Sequence, residues 1–421
     1  MTTTTHAPRA AQSHVEGPRV FSWQTPAVIL VSGCLIAMLN FGPRSAVGQF
    51  LNPMSVDLHW GRDVFSFAIA IQNLLWGAAQ PFAGALADKY GAIRVLSVGA
   101  ILYALGLTLM AYSTTPTMLD LSAGVLVGLG LAGSSFSLVI GAFGKLMPER
   151  WRMLSFGAGT AAGSFGQFLF SPLANGVIKG AGWQSALLVF ACLLLLVLPL
   201  SFALATRGNA GKVGGVQQQS AKQALTEAFG HRSFALLVLG FFTCGFQLAF
   251  ITLHLPAYLI DRGLTATDGA WTIAVIGLFN IVGSILAGWF SSRVPKRYIL
   301  SFIYLVRAIA IVAFITFPAS ATSAIVFGAV MGLGWLSTVP PTNGLVAVMF
   351  GTRWLTMLAG AAFFSHQVGG FLGVWLGGEV FTRTGSYDAV WWLAVLFGLL
   401  SAVINLPIVE KPVARLAPQA M

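Results

Sequence analysis

Twelve apolar stretches, each long enough to cross a hydrocarbon layer, follow one another along this chain with short polar breaks between them. A helix needs about 20 apolar residues to span a bilayer, and lipid accepts only backbone whose hydrogen bonds are closed internally. An all-α integral membrane protein is therefore expected. Cut at charges, prolines and Gly-polar clusters, the stretches run Pro26–Phe50, Val64–Ala87, Ile93–Ala111, Met118–Phe143, Met153–Val177, Gln184–Leu204, Ser233–Leu259, Ala270–Phe290, Tyr298–Pro318, Ser323–Met349, Leu355–Phe381 and Asp388–Pro407. One long polar connection, Thr206–Arg232, divides them six and six. The expected organisation is a tail over 1–25, a six-helix half over 26–205, a linker over 206–232, a second half over 233–408 and a tail over 409–421.

Composition excludes the soluble alternative. Of 421 residues, 57% are hydrophobic and 8% charged, with mean hydropathy +0.82, whereas a soluble surface takes roughly a quarter of its residues charged. Cys34, Cys192 and Cys244 lie inside apolar stretches and read as small packing residues, not as a disulfide or zinc framework. The polar start, Met1–Trp23, lacks the pattern of a cleaved signal peptide, and no Asn-x-Ser/Thr sequon occurs, which favours a bacterial inner membrane.

The net charge of +11 is a topology signal. Seventeen of the 23 Lys and Arg fall at one set of stretch ends, among them Lys89, Arg94, Lys145, Arg150, Arg293 and Arg297. The other ends carry Arg62, Lys179, Arg262 and Arg383, and Arg44 and Arg307 lie within stretches. Positive ends stay in the cytoplasm, so both termini are expected there and nucleic acid is not an expected partner.

The two halves resemble each other. Gly124-x-x-x-Gly128-Leu129-Gly130 returns as Gly328-x-x-x-Gly332-Leu333-Gly334, and Gly84 as Gly288, both displaced by 204 residues. Arg150-Trp151 returns as Arg353-Trp354, displaced by 203. Two parallel six-helix halves are the expected result. Gly84-Ala85-Leu86-Ala87-Asp88-Lys89-Tyr90-Gly91-Ala92-Ile93-Arg94, between stretches two and three, resembles the G-x-L-a-D-r-x-G-r loop of the major facilitator superfamily, and the resemblance covers Pro26 to Pro407. In the second half the loop has become Gly288-Trp289-Phe290-Ser291-Ser292-Arg293-Val294-Pro295-Lys296-Arg297, without the Asp.

That resemblance implies a twelve-helix secondary transporter in which stretches one, four, seven and ten line a central cavity. Gly84, Asp88, Lys89, Gly91 and Arg94 would then gate it, with Asp88 pairing to Lys89, Arg94 or a neighbouring loop; the alternative is a solvated turn whose charges set topology. The GxxxG pairs Gly124/Gly128, Gly159/Gly163 and Gly328/Gly332 bring backbones close, either as sliding surfaces or as static packing. Gly42-Pro43 and Pro340-Pro341 should break stretches one and ten.

Ionisable side chains within a bilayer are functional candidates by default. Arg44 and Arg307 are the cations there, and all 12 acids lie in loops, tails or stretch ends. A buried guanidinium keeps its charge, so an anionic cargo is the simplest partner for Arg44, and snorkelling to the interface is the alternative. Arg307, on a peripheral helix of the superfamily, is expected to brace Asn280 or stretch eight.

Asn40, one turn before Arg44, and Gln247, His254, Asn280 and His366 complete the expected substrate-binding set; either His could instead be interfacial, or could carry a proton. Within the superfamily the layout resembles the monocarboxylate and oxalate/formate branch, through Asn40-Phe41-Gly42-Pro43-Arg44-Ser45 and Leu74-Leu75-Trp76-Gly77 with Gln80-Pro81. That branch typically carries a cation in stretch eight, where this chain has Asn280 and Ser284.

The expected function is alternating-access transport of a small, monocarboxylate-like organic anion, with a proton as candidate co-substrate. A neutral aromatic or vitamin-like solute, or drug export by the same fold, is the alternative. An enzyme would need a clustered nucleophile, metal or acid/base set, and none is found. No cofactor or metal is expected; the expected partners are the small-molecule substrate, protons and the lipid bilayer, and the chain is expected to be a monomer.

Overall fold

The computed structural model describes residues 21–205, 219–351 and 354–416. The first part of the expected N-terminal tail, the first part of the linker, Arg353 of the Arg-Trp repeat and the last residues of the C-terminal tail lie outside them. No strand occurs among the described residues. The first half holds α1 (Pro26–Ser45), α2 (Gly48–Asp57), α3 (Arg62–Tyr90), α4 (Ala92–Ala111), α5 (Pro116–Leu119), a π-helical segment (Asp120–Leu126), α6 (Val127–Gly133), α7 (Phe136–Leu146), α8 (Glu149–Leu195) and α9 (Val197–Ser201). The short α10 (Ala221–Gly230) leads into α11 (Arg232–Asp261), α12 (Ala266–Ser291), α13 (Lys296–Thr316), α14 (Ala321–Gly334), α15 (Val339–Phe350), α16 (Leu355–Thr384) and α17 (Asp388–Ile404).

Among the described residues nine helical segments are long and apolar enough to cross a membrane. One of them, Leu154–Leu204, makes two crossings, because Gly182 interrupts α8 with φ +84°. Twelve are reached with the shorter α17 and with α3, whose Gln72, Asn73 and Gln80 dilute its apolar content. Helix starts are fixed locally. Thr25 accepts from the Val28 amide ahead of Pro26, and Thr265 with Asp268 and Ser320 with Ser323 form capping boxes. Gly91, at φ +91°, turns the chain between α3 and α4 in a conformation that L side chains rarely adopt.

Three crossings are broken, one more than expected. The first divides at Ala46-Val47, just after Pro43, and the tenth at Trp335–Thr338, with Pro340 and Pro341 in the first turn of α15. The fourth divides at Ser134-Ser135, where no proline stands. Ser134 Oγ turns back 2.7 Å onto the Gly130 carbonyl, competing for the backbone and ending α6.

One hydrophobic core joins crossings one to six and takes in Ala249, Leu253, Ala257 and Val374 of the second half, and the other joins crossings seven to twelve. The halves meet tightly at the end that carries Arg62 and part at the end that carries Gly91. A Cβ added to Gly48 would stand 2.3 Å from the Thr252 carbonyl, at Gly378 2.5 Å from Ser66, at Gly77 2.6 Å from Gln367, and at Gly277 2.8 Å from Ser164 and Phe168 backbone. Further along the same helix faces, Gly84, Gly157, Gly288 and Gly360 have nothing within 4 Å. The GxxxG glycines work elsewhere: Gly124 and Gly128 pack on α3, Gly159 lies nearest Phe143, and Gly328 and Gly332 pack on α12, all within one half. They join helices within one half, and the close inter-half contacts are made at Gly48, Gly77, Gly277 and Gly378.

Candidate functional site

Arg44 lies in the last turn of α1, just before the break, and is 7% exposed. Its Nη2 donates to Asn73 Oδ1 at 2.7 Å, its Nε has no partner, and no carboxylate of a described residue pairs with it. It does not snorkel. A cavity of about 20 Å³, walled by Arg44, Gln72 and Tyr103 among apolar residues, adjoins it, with room for roughly one water. A guanidinium so placed carries an uncompensated charge in a medium of low dielectric.

Asn73 carries the site across to the other half. Its backbone carbonyl accepts from Gln367 Nε2 at 3.3 Å, and Gln367 Oε1 lies 3.0 Å from His366 Nδ1. His366 is half-buried, stacked on Phe363 at 5.6 Å and tilted against Phe241 at 5.0 Å, and Phe363 meets Trp76 edge-on. A continuous line of polar groups, Arg44–Asn73–Gln367–His366, thus spans α1, α3 and α16 where the closed end gives way to the open one.

The other expected contacts fall in several places. Asn40 donates to Ser134 Oγ, tying α1 to the break in the fourth crossing. Asn280 is wholly buried: its Nδ2 donates to Ser164 Oγ at 2.9 Å in the other half, and its Oδ1 accepts from the Leu336 amide at 3.0 Å and from Ser284. Gln247 donates to the Ala394 carbonyl, and both ring nitrogens of His254 are engaged, by Tyr387 Oη at 3.2 Å and the Val374 carbonyl at 2.9 Å. These last two are held inside the second half, away from Arg44.

Arg307 does not brace Asn280 or the eighth crossing. It is wholly buried and caps the break in the tenth, its Nη2 donating to the carbonyls of Gly334, at 2.6 Å, and Trp335, while Nη1 reaches Cys244 Sγ and Gln247 Oε1 at 3.4 Å each. The carbonyls at the end of α14 carry partial negative charge with no helical partner, which suits a guanidinium. No adjacent crossing in the sequence announces this, because the partners are backbone atoms freed by a break.

In the Gly84–Arg94 segment, Lys89 lies over Tyr90 at 5.0 Å and Arg94 is exposed; the Asp88 side chain lies outside what is described. At the opposite end sequence reasoning missed a clamp. Arg62 on α3 pairs in bidentate fashion with Asp261 at the end of α11, at 2.5 and 2.7 Å, and Asp63 accepts from Thr382 at 2.9 Å. Asn175 and Lys179 donate to Thr267 on α12, at 3.3 and 2.5 Å. Arg62 and Asp261 are 199 residues apart, each beside a loop, so neither periodicity nor the repeat links them.

Residues 33–374 match the Major Facilitator Superfamily. An uncharacterized MFS-type transporter, YcxA, of Bacillus subtilis is 28% identical over 403 residues, covering 90% of this chain and 94% of that one. Monocarboxylate transporter 13 of Rattus norvegicus is 28% identical over 398 residues, covering 90% and 88%. Among solved structures, a D-xylose-proton symporter superimposes with a TM-score of 0.71 at 15% identity, covering 91% of this chain and 98% of that one. A bacterial homologue of the lysosomal transporter Spinster, inward-facing and occupied, gives 0.72 at 14% identity, with 91% and 97% covered.

Proposed function

The chain belongs to the Major Facilitator Superfamily, multi-pass membrane transporters and not enzymes, and on that premise we propose that it carries a small organic monocarboxylate by alternating access. Arg44 carries the reading. A permanently charged guanidinium, nearly removed from water, with one neutral partner and an unpartnered Nε, has a binding capacity that an anion would fill. The rat relative's name, a monocarboxylate transporter, points the same way.

Arg44 would take the carboxylate, while His366, with Trp76 and Phe363 beside it, offers the cargo's body an aromatic wall. Asn40 and Asn280 hold the broken helices around the site, and Gln247 and His254 shape its second-half wall. His366 is the candidate proton carrier, since no described carboxylate lies near the polar line. The Gly84–Arg94 segment would close the open end in the alternate state. Basic loops favour the cytoplasm for that end and for both termini, and the reading places the carrier in a bacterial inner membrane. The halves 26–205 and 233–408 would rock as two bodies within a monomer.

Uptake of labelled pyruvate and benzoate into vesicles holding the purified protein tests this cargo class. Saturable uptake, competed by carboxylates but not by their amides, is expected; uptake of the amides at equal rate would transfer the assignment to neutral cargo. The Trp76–Phe363–His366 cluster favours that second reading, in which an aromatic solute is held by stacking and Arg44 is structural.

A further inference from the structure

Arg62 opens α3 on the first half, yet every group that clamps it belongs to the second. Its Nη1 and Nη2 take the two carboxylate oxygens of Asp261 at 2.5 and 2.7 Å, Nη1 also donates to Tyr387 Oη at 3.0 Å, and the Phe381 ring lies 4.0 Å from the guanidinium carbon. Asp261 stands where a free monocarboxylate would bind best, in the two-pronged geometry that guanidinium and carboxylate share. The Asp261 side chain is 32% exposed and that of Arg62 12%, so the pair meets solvent from the Asp261 side.

Beside the clamp lies an open recess of about 490 Å³, walled by Asn52, Ser55 and Trp60 as well as Arg62, Phe381 and Thr382. Ser55 Oγ there is buried without a hydrogen-bond partner. Asn52 and Ser55 lie on α2 and Trp60 just after it, leading into α3, so they travel with Arg62 when the halves part at this end. Asp261, Tyr387 and Phe381 depart with the second half. Opening therefore leaves a bare guanidinium beside an unused hydroxyl, an amide and an indole, and that set matches an organic anion with an apolar body.

We infer that this recess is a capture site for an organic carboxylate, which takes Asp261's place on Arg62, lies along Trp60 and so opens this end of the carrier to cargo. The inference rests on the reading that the cargo is an organic anion. A ligand shifts a two-state equilibrium only by its differential affinity for the states, and here the anion binds the parted state, in which Asp261 no longer competes. The clamp is then a latch released by cargo.

Benzoate and its neutral counterpart benzamide are the probes. Spin labels at Gly180→Cys and Thr384→Cys, with Cys34 and Cys192 changed to Ser and the buried Cys244 left in place, report the separation of the halves at this end. Benzoate is expected to shift the labels toward longer distance, and benzamide is not; an equal response to both, or none to benzoate, would overturn the inference. A second measurement separates this site from the central one. In an Arg44→Gln background, Asp261→Asn and Arg62→Gln both break the clamp, but only the first keeps the guanidinium. Calorimetry is expected to show benzoate bound more tightly by Asp261→Asn than by the Arg44→Gln parent, and not by Arg62→Gln. Equal affinity in the two clamp variants would overturn the recess. Absence of carboxylate transport with both responses intact would overturn the central reading alone.

Discussion

Asn40 is hydrogen-bonded to Ser134 at the break in the fourth crossing, and 204 residues further on Cys244 meets Thr338 at the break in the tenth, 3.3 Å apart. The internal repeat is thus kept in how the first and seventh crossings grip the broken fourth and tenth. Ser134 is fully buried, so removing its partner leaves a hydroxyl without that donor. Asn40→Ala is expected to cost about 1–3 kcal/mol, seen as a lower unfolding temperature in detergent; an unchanged temperature would mean that the pair does not hold the break.

Arg307 should behave as a stabilising residue. Arg307→Met strips the Gly334 and Trp335 carbonyls of their charged donor, and each buried acceptor left without a partner costs about 1–3 kcal/mol. The expected result is a large fall in thermal stability with an unchanged KM in the fraction that remains folded. A raised KM at unchanged stability would instead place Arg307 on the cargo.

Glycines between the halves and glycines within one half should give different phenotypes. A Cβ at Gly277 would meet backbone of Ser164 and Phe168 at 2.8 Å across the halves, whereas at Gly332 it would meet the Ile276 carbonyl at 2.7 Å within one half. Gly277→Ala is expected to favour parting at the Arg62 end, measured as longer inter-half label distances with little change in unfolding temperature. Gly332→Ala is expected to lower the unfolding temperature and leave the distances alone.

His366 is the group through which a proton would enter the cycle. With acid outside the vesicle, a carrier that moves a proton with its cargo takes up carboxylate faster, and His366→Gln is expected to remove that stimulation while keeping uptake without a gradient. Stimulation that persists in His366→Gln would assign the proton to another group.

The crossings were legible in the sequence because apolar length is a local property. The breaks at Pro43 and Pro340 were legible for the same reason. The break at Ser134 was not, since serine ends a helix only through where its hydroxyl turns, and Ser122 in the same stretch or Ser164 in the next looks no different. Arg44 stood out as a charge without a nearby acid. Its partner Asn73 did not, because a polar side chain on the second crossing reads as helix–helix glue until the register of α1 against α3 is known. The clamp between Arg62 and Asp261 belongs to the relative placement of the halves, which no pattern along the chain encodes.

Labelled-monocarboxylate uptake by Arg44→Gln beside Arg44→Lys tests the anion reading most directly. Loss of a buried charge–charge contact of about 3 kcal/mol corresponds to roughly a hundredfold, so Arg44→Gln is expected to lower kcat/KM for uptake by that order while Arg44→Lys keeps a measurable part. Uptake by Arg44→Gln at the rate of the unaltered protein would contradict the assignment of this guanidinium to the cargo.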